Sequence, residues 1–287
     1  MLTKSQKAVL YMTGSVVCFS TMDLIVKYLN NVPFGQVLFM RFFFGMIPIL
    51  FLIPRDKIFT FYKTKRPILH TFRAVSGTIA IIALFVGLRN LPLTDVISLT
   101  FTGPLFVTIM SVIFLSEKVG VRRWSAVIIG FVGSLIVIRP GFMELNLATI
   151  AALGTGFFYG IYLVITRKLH TSDSPLLTLL LTGVVGAVIA SFLVPVVWIS
   201  PTFNQWSLLA LMGIFACLGH LFLILSLKYA DASKLAPFGY FEIVTNVILG
   251  YYFFGDFPHY WTWIGLAIIV CSGIYISLRE RASVLVK

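Results

Sequence analysis

Polar and turn-forming residues interrupt this chain about every twenty positions, and nearly everything between them is apolar. The interruptions include Asn30-Asn31-Val32-Pro33, Pro54-Arg55-Asp56-Lys57, Asn90-Leu91-Pro92, Arg139-Pro140-Gly141 and Ser172-Asp173-Ser174-Pro175. They leave ten apolar spans, near 8–29, 34–53, 69–88, 92–115, 121–138, 147–166, 175–199, 206–228, 235–254 and 260–278. A run of about 20 apolar residues is what an α-helix needs to cross the hydrocarbon core of a bilayer. The runs are continuous, without the ten-residue alternation of a transmembrane β-barrel. The spacing therefore predicts an all-α membrane protein of ten transmembrane helices, with connections short enough to make neighbouring helices antiparallel.

The pattern also repeats. A shift of 140 places Gly14, Ser15, Phe19 and Lys27 on Gly154, Thr155, Tyr159 and Arg167. A shift of 139 places Arg89, Phe101, Glu117 and Trp124 on Lys228, Tyr240, Asp256 and Trp263. Apolar coincidences are cheap in such a sequence, whereas charged and tryptophan coincidences are less so. Two units of five spans follow, 1–141 and 142–287. An odd number of spans per unit makes the second enter the membrane from the opposite side. Inverted repeats are a common architecture of secondary transporters, with the substrate site near the midplane.

Charge fixes the expected orientation. With the N-terminus in the cytoplasm, 17 of the 22 basic residues fall in cytoplasmic segments. Only Lys27, Arg89 and Arg139 lie at the outer edges, and Arg41 and Arg73 lie within spans. This bias predicts an inner-membrane protein with both termini cytoplasmic. It also accounts for the net charge of +12 without nucleic acid, because the positive segments face an anionic lipid surface. Charged residues make up 11% of the chain, against about 25% in a soluble domain. Cys18, Cys217 and Cys271 fall inside apolar runs and read as packing residues, not as a metal or disulfide framework.

The run Thr102-Gly103-Pro104-Leu105-Phe106, with Leu115-Ser116-Glu117-Lys118-Val119, Trp124 and Gly130-Phe131-Val132-Gly133, resembles the end of a first EamA domain. Ala236-Pro237-Phe238, Glu242-Ile243, Gly250-Tyr251, Phe254-Gly255-Asp256-Phe257-Pro258 and Trp263-Ile264-Gly265 resemble the matching part of a second. The likeness covers nearly the whole chain. It implies the drug/metabolite transporter superfamily, with ten helices, two inverted five-helix units and a central cavity with alternating access. The stretches Asp23…Lys27-Tyr28-Leu29, Arg41-Phe42-Phe43-Phe44 and His70…Arg73 are similar to those of bacterial S-adenosylmethionine carriers, and riboflavin carriers belong to the same group. After Ala-Pro, where the S-adenosylmethionine carriers hold an aromatic-arginine pair, this chain holds Phe238-Gly239.

Within the spans, ionisable residues are the natural candidates for a site. A charge at the bilayer centre costs about 2.5–3.5 kcal/mol on insertion scales, so it faces a partner, a cavity or a substrate. Arg41 sits deepest, and its guanidinium suits a carboxylate or phosphate. Glu242 suits a proton or a cationic group, unless it pairs with Arg41 or Arg73. Arg73 either joins the site or snorkels to headgroups beside His70. Asp23 and Lys27, four apart, form either a helix-surface pair or an outer gate. His220 is either a packing residue or a proton relay. Tyr159, Tyr162, Phe101 and Tyr240 have the depth to flank a flat heterocycle.

The sequence carries no phosphate-cradling glycine loop, no HExxH, no GxSxG and no cysteine-histidine cluster, so no enzyme, metal or cofactor is expected. Lacking an ATP-binding domain, transport would run on a gradient or on exchange, with a proton or a counter-solute as partner. The expected function is secondary transport of a small anionic or zwitterionic metabolite, such as S-adenosylmethionine, riboflavin or an amino-acid derivative, by rocking of the two halves. Monomer and homodimer both stay open. A channel, a subunit of a larger membrane complex and an intramembrane transferase are the alternatives.

Overall fold

The computed structural model describes residues 3–53, 64–91, 93–100, 102–138, 146–170, 172–194, 198–239, 241–255 and, further on, 260, 261, 263–265, 267, 268, 271, 272 and 275. Its elements are α1 (Lys4–Tyr28), α2 (Phe34–Leu52), α3 (Pro67–Asn90), α4 (Leu93–Thr100), α5 (Gly103–Leu115), α6 (Val121–Ile138), α7 (Leu147–Leu169), α8 (Pro175–Ser191), α9 (Phe203–Tyr229), α10 (Ala232–Gly239) and α11 (Phe241–Phe254). No strand occurs among the described residues. Five of these helices, α1, α2, α3, α7 and α9, are long and apolar enough to cross a membrane, and shorter apolar helices accompany them. The chain is thus an α-helical, multi-pass membrane protein.

Local chemistry explains where the helices begin. Thr3 and Gln6 form a reciprocal capping box at α1, and Thr202 and Gln205 form another at α9. Each box satisfies two backbone donors that a helix start would leave orphaned in lipid. The boxes also start these helices a few residues earlier than apolar content alone predicts. Asn146 caps α7, and Ser174 with Pro175 starts α8. The expected fourth span, 92–115, is divided: α4 ends at Thr100 and α5 begins at Gly103. Thr102 forms a turn between them, its amide and hydroxyl both donating to the Leu99 carbonyl. The expected ninth span is represented by α10 and α11, on either side of residue 240. The described residues of the tenth are helical.

Contacts between helix ends sort them onto two faces. On one, Lys7 lies near the Tyr229 ring, His70 meets Asp173, and Arg167 meets Glu117 and Asp231. On the other, Arg89 donates to the Val32 carbonyl, Lys27 covers the Phe254 ring, and Gln36 holds the backbone of Ile199 in both directions. α1 and α11 run parallel, in register from Ser20 against Thr245 to Lys27 against Phe254.

The tightest packing joins the first half of the sequence to the second. α1 lies on α9, α3 on α7, α2 on α9 and α8, and α5 on α7. Ser15 of α1 donates to the Gly219 carbonyl of α9 at 2.8 Å. Gly77 of α3 gives room to the Tyr162 ring of α7, since a Cβ there would stand 2.8 Å from the ring. Gly156 and Gly160 of α7 likewise face α5. Small residues at such crossings let helices approach closely in lipid, where dispersion and hydrogen bonds replace the hydrophobic effect as the source of cohesion. The two halves are interleaved, so a rearrangement that keeps these contacts moves helices from both halves as mixed bundles.

Candidate functional site

A cavity lies among α1, α3, α4, α7 and α11. It has two arms of about 70 and 80 Å³, which share Phe19, Asp23, Leu84, Thr100, Tyr159 and Glu242. The first arm runs between α1, α9 and α10, past Leu227, Ala232 and Leu235. The second reaches α2, α8 and α9, where Arg41, Thr182 and His220 line it. Each arm has room for several water molecules. A typical ligand pocket holds about 300–1,000 Å³, so a metabolite requires the surrounding helices to move apart.

Arg41 is 3% exposed. Its Nε donates to Met22 Sδ at 3.4 Å, and its Nη2 lies 3.0 Å from His220 Nε2. The guanidinium also stands 5.3 Å from the Phe42 ring centre. No carboxylate of the described residues lies within ion-pair distance, and Nη1 makes no hydrogen bond to them. Arg41 therefore faces the cavity with donors to spare, as a ligand-binding guanidinium requires.

Arg73 is fully buried. Nε donates to Thr166 Oγ1 at 2.6 Å, Nη1 to the Thr178 carbonyl at 3.1 Å and to Thr182 Oγ1, and Nη2 to the Tyr162 hydroxyl at 2.6 Å. Its guanidinium also lies 4.2 Å from the Tyr162 ring centre. Four of its five donors thus pin α3 to α7 and α8. It neither snorkels nor lines the cavity. His70, its expected neighbour at the surface, instead meets Asp173 at 3.3 Å. Burial works against the Asp173 carboxylate, but hydrogen bonds from Ser172, His70 and Thr64 prevail and hold it below the usual carboxylate range.

The two arginines are linked. Tyr162 receives Arg73, and its hydroxyl lies 2.9 Å from His220 Nδ1, while His220 Nε2 meets Arg41. The Phe19 ring braces His220 edge-on at 4.8 Å. Tyr159 stacks on Tyr162 at 5.7 Å and lines both arms. With Phe19 it is an aromatic residue open to both arms, whereas Tyr162 lines only the second and its hydroxyl is committed to the network.

Asp23 is the largest departure from the sequence-based picture. It makes no ion pair with Lys27, which covers the Phe254 ring at 4.1 Å. Instead Asp23 is 1% exposed, lines both arms and feels the charges of Arg41 and Glu242. Asn246 lies beside it, yet neither Asp23 Oδ1 nor either end of the Asn246 amide is hydrogen-bonded among the described residues. Glu242 pairs with neither arginine and also faces both arms. The candidates Phe101 and Tyr240 lie outside the described residues. Sequence reading missed Thr166, Thr178 and Thr182 as the partners of Arg73, which is reached only through tertiary packing. It also missed Asn246, although that residue sits one turn from Glu242 on the same helix face.

A bundle of apolar helices enclosing a small cavity with both signs of charge defines a membrane transporter of small molecules. The chain belongs to the EamA-like transporter family, whose model matches residues 6–139 and 146–278. It is 29% identical over 279 residues to an S-adenosylmethionine uptake transporter of Rickettsia conorii, covering 94% of each chain. A riboflavin transporter of Vibrio cholerae is 29% identical over 276 residues, covering 94% of this chain and 93% of its own. A pseudopaline exporter of Pseudomonas aeruginosa is 24% identical over 269 residues, covering 92% and 93%. A known crystal structure matches the fold with a TM-score of 0.81 at 16% identity, over 96% of this chain and 98% of its own.

Proposed function

We propose that this protein is a secondary transporter that carries a small zwitterionic metabolite across the bacterial inner membrane by alternating access. In this reading Arg41 holds the substrate's carboxylate, Tyr159 offers its ring to a flat heterocycle, and Glu242 and Asp23 form the opposite, negative wall. Arg73 and Tyr162 are scaffold, and His220 serves Arg41. The observation that carries the reading is the buried Arg41 guanidinium, without an ion-pair partner among the described residues, facing a cavity that two carboxylates also line. A guanidinium left without an anion in the membrane interior has a strong demand for one, and a two-pronged carboxylate meets it.

The architecture in this proposal is ten spans in two inverted units, 1–141 and 142–287, with both termini cytoplasmic. The protein catalyses no reaction and works as a monomer or homodimer. S-adenosylmethionine is the first substrate to test. It carries a carboxylate, positive centres and a flat base, and a relative named for its uptake aligns over nearly the whole chain. Among the relatives one is named for uptake and another for export, so direction follows from the gradient supplied.

The test is counterflow of radiolabelled S-adenosylmethionine into proteoliposomes preloaded with the unlabelled compound. The wild type should show saturable accumulation and Arg41→Ala none, with equal amounts of protein inserted. Transport by Arg41→Ala at the wild-type rate would remove Arg41 from the site. Uptake that never saturates would replace the carrier with a channel.

A further inference from the structure

We propose that the seam between α1 and α11, formed by Asp23, Glu242 and Asn246, is a binding site for a monovalent cationic group. The inference deepens the proposed substrate site by assigning its negative end. Two sources can supply the group: the positive centre of the substrate, or a free sodium ion that occupies the seam between substrates.

The seam is fixed in register. Ser20 and Thr245 join the two helices by a side-chain hydrogen bond, one turn before Asp23 on α1 and one turn after Glu242 on α11. Lys27 over the Phe254 ring holds the far end. Glu242 and Asn246 are four residues apart and share a helix face, and Asn246 lies beside Asp23. Asp23 and Glu242 line both arms of the cavity.

The seam holds more acceptors than donors: the Asn246 amide nitrogen, unpaired itself, is its one side-chain donor and cannot serve two carboxylates and its own amide oxygen. Asp23 is 1% and Asn246 4% exposed, and Asp23 Oδ1 and the amide oxygen of Asn246 have no hydrogen-bond partner among the described residues. The Glu242 carboxylate makes no hydrogen bond or ion pair to them either. Buried polar groups are nearly always satisfied, and an orphaned one calls for an explanation. Arg41 does not supply it, since no carboxylate lies within ion-pair distance of its guanidinium and one of its arms is engaged with His220. The Asn246 nitrogen can serve Asp23, and a positive group from outside the protein would meet the acceptors that remain. Carboxylates and an amide oxygen are hard-oxygen groups, suited to sodium, an ammonium or a sulfonium. No group of three or more His, Cys, Asp or Glu side chains able to hold a metal ion occurs among the described residues. The formal charges of Arg41, Arg73, Asp23 and Glu242 sum to zero. A zwitterion that sets its carboxylate on Arg41 and its cation on the seam preserves that balance, which favours the substrate as the source.

The experiment uses the purified full-length protein, with isosteric variants Asp23→Asn and Glu242→Gln. Binding of S-adenosylmethionine and of its decarboxylated form, which keeps the positive centres and loses the carboxylate, is measured by titration. Melting is compared in sodium chloride and in choline chloride at equal ionic strength. Both nucleosides should bind the two variants on the order of thirtyfold more weakly than the wild type. Arg41→Ala should weaken only the carboxylate-bearing one. A sodium-specific rise in melting temperature, present in the wild type and lost in both variants, would assign the seam to the free ion. If the wild type binds neither nucleoside, the substrate reading fails and the sodium arm alone decides. The seam site is overturned if both variants bind within threefold of the wild type and sodium acts like choline. It is equally overturned if neither nucleoside binds and sodium has no effect.

Discussion

The Nε2 of His220 lies 3.0 Å from Nη2 of Arg41, and that contact fixes the tautomer of the ring. A guanidinium only donates, so Nε2 must accept and the ring proton must sit on Nδ1. From there it donates to the Tyr162 oxygen 2.9 Å away, which also accepts from Arg73. A doubly protonated ring would turn an N–H toward the guanidinium and lose the bond. His220 is thus a neutral acceptor toward Arg41 in this arrangement, and in the proposed function it orients that guanidinium.

This orientation makes His220 a positioning residue with a measurable signature. Gln can place its amide oxygen where Nε2 stands, whereas Asn reaches only the Nδ1 position. His220→Asn should raise the half-saturation constant for transport about tenfold to a hundredfold, the worth of a hydrogen bond to a charged group. His220→Gln should keep most of the wild-type affinity, and the maximal rate should change less than the half-saturation constant in both. Equal affinity losses in the two variants would reduce His220 to a packing residue.

Arg41→Lys keeps the charge and discards the fork. Lysine offers a compact ammonium without bidentate geometry. Its flexible stem also has no equivalent of the paired contacts to Met22 and His220. Substrate affinity should fall at least about tenfold, with the amount of folded protein in the membrane unchanged. Full affinity in Arg41→Lys would show that the site needs only a positive charge at this position.

Arg73 should behave in the opposite way. Its donors tie three helices together, and it does not face the cavity. Arg73→Ala removes these bonds and leaves a void beneath Tyr162, with an expected loss of at least about 3 kcal/mol of stability. Thermal unfolding in detergent measures it. A normal melting temperature combined with abolished binding would move Arg73 into the substrate site.

These contrasts show how far the sequence could be read. The long apolar helices and the depth of Arg41 are properties of single segments, and hydropathy exposes them, while the family likeness rests on short motifs in both halves. The fate of Asp23 is a property of two segments. Its four-residue spacing from Lys27 suggests a local pair, but the parallel register of α1 on α11, set by Ser20 and Thr245, turns it toward Asn246 and the cavity. Arg73 looked equivocal for the same reason, because its threonine partners lie about a hundred residues away. The turn at Thr102 has a local signal, Gly103-Pro104 at the start of α5, which the length of the 92–115 run outweighs. The early starts of α1 and α9 were legible in Thr3-x-x-Gln6 and Thr202-x-x-Gln205, and were masked by weighing hydropathy above capping.

Close packing supplies a further prediction. Gly186 of α8 lies against the Phe42 ring, and a Cβ at that position would penetrate it. Phe42 adjoins Arg41 in sequence, and its ring lies beneath the guanidinium. Gly186→Ala should push the ring aside at a cost of about 1–3 kcal/mol and weaken substrate binding although residue 186 does not touch the cavity. Unchanged melting and unchanged affinity would mean that α8 shifts freely, contrary to the close fit seen here.

The polar cluster at one end of the first cavity arm is placed to control access to it. Arg167, from the end of α7, donates to Asp231 at 2.8 Å and lies 3.8 Å from Glu117, while Lys234 of α10 meets Asp231 at 2.8 Å. Glu117 also accepts from the Ala232 amide at 3.1 Å. The cluster thus binds the α5–α6 link, α7 and the α9–α10 link beside Leu227, Ala232 and Leu235, which line the arm. Its members are partly solvated, so the pairs add little to global stability, but opening this end requires all of them to part. Arg167→Gln should leave melting nearly unchanged and raise the rate at which a water-soluble maleimide labels a cysteine placed at Leu235. The comparison is made in a Cys271→Ser background, since Cys18 and Cys217 are buried and Cys271 is exposed. A labelling rate unaffected by Arg167→Gln, and unaffected by salt in the parent, would show that apolar packing alone closes this end.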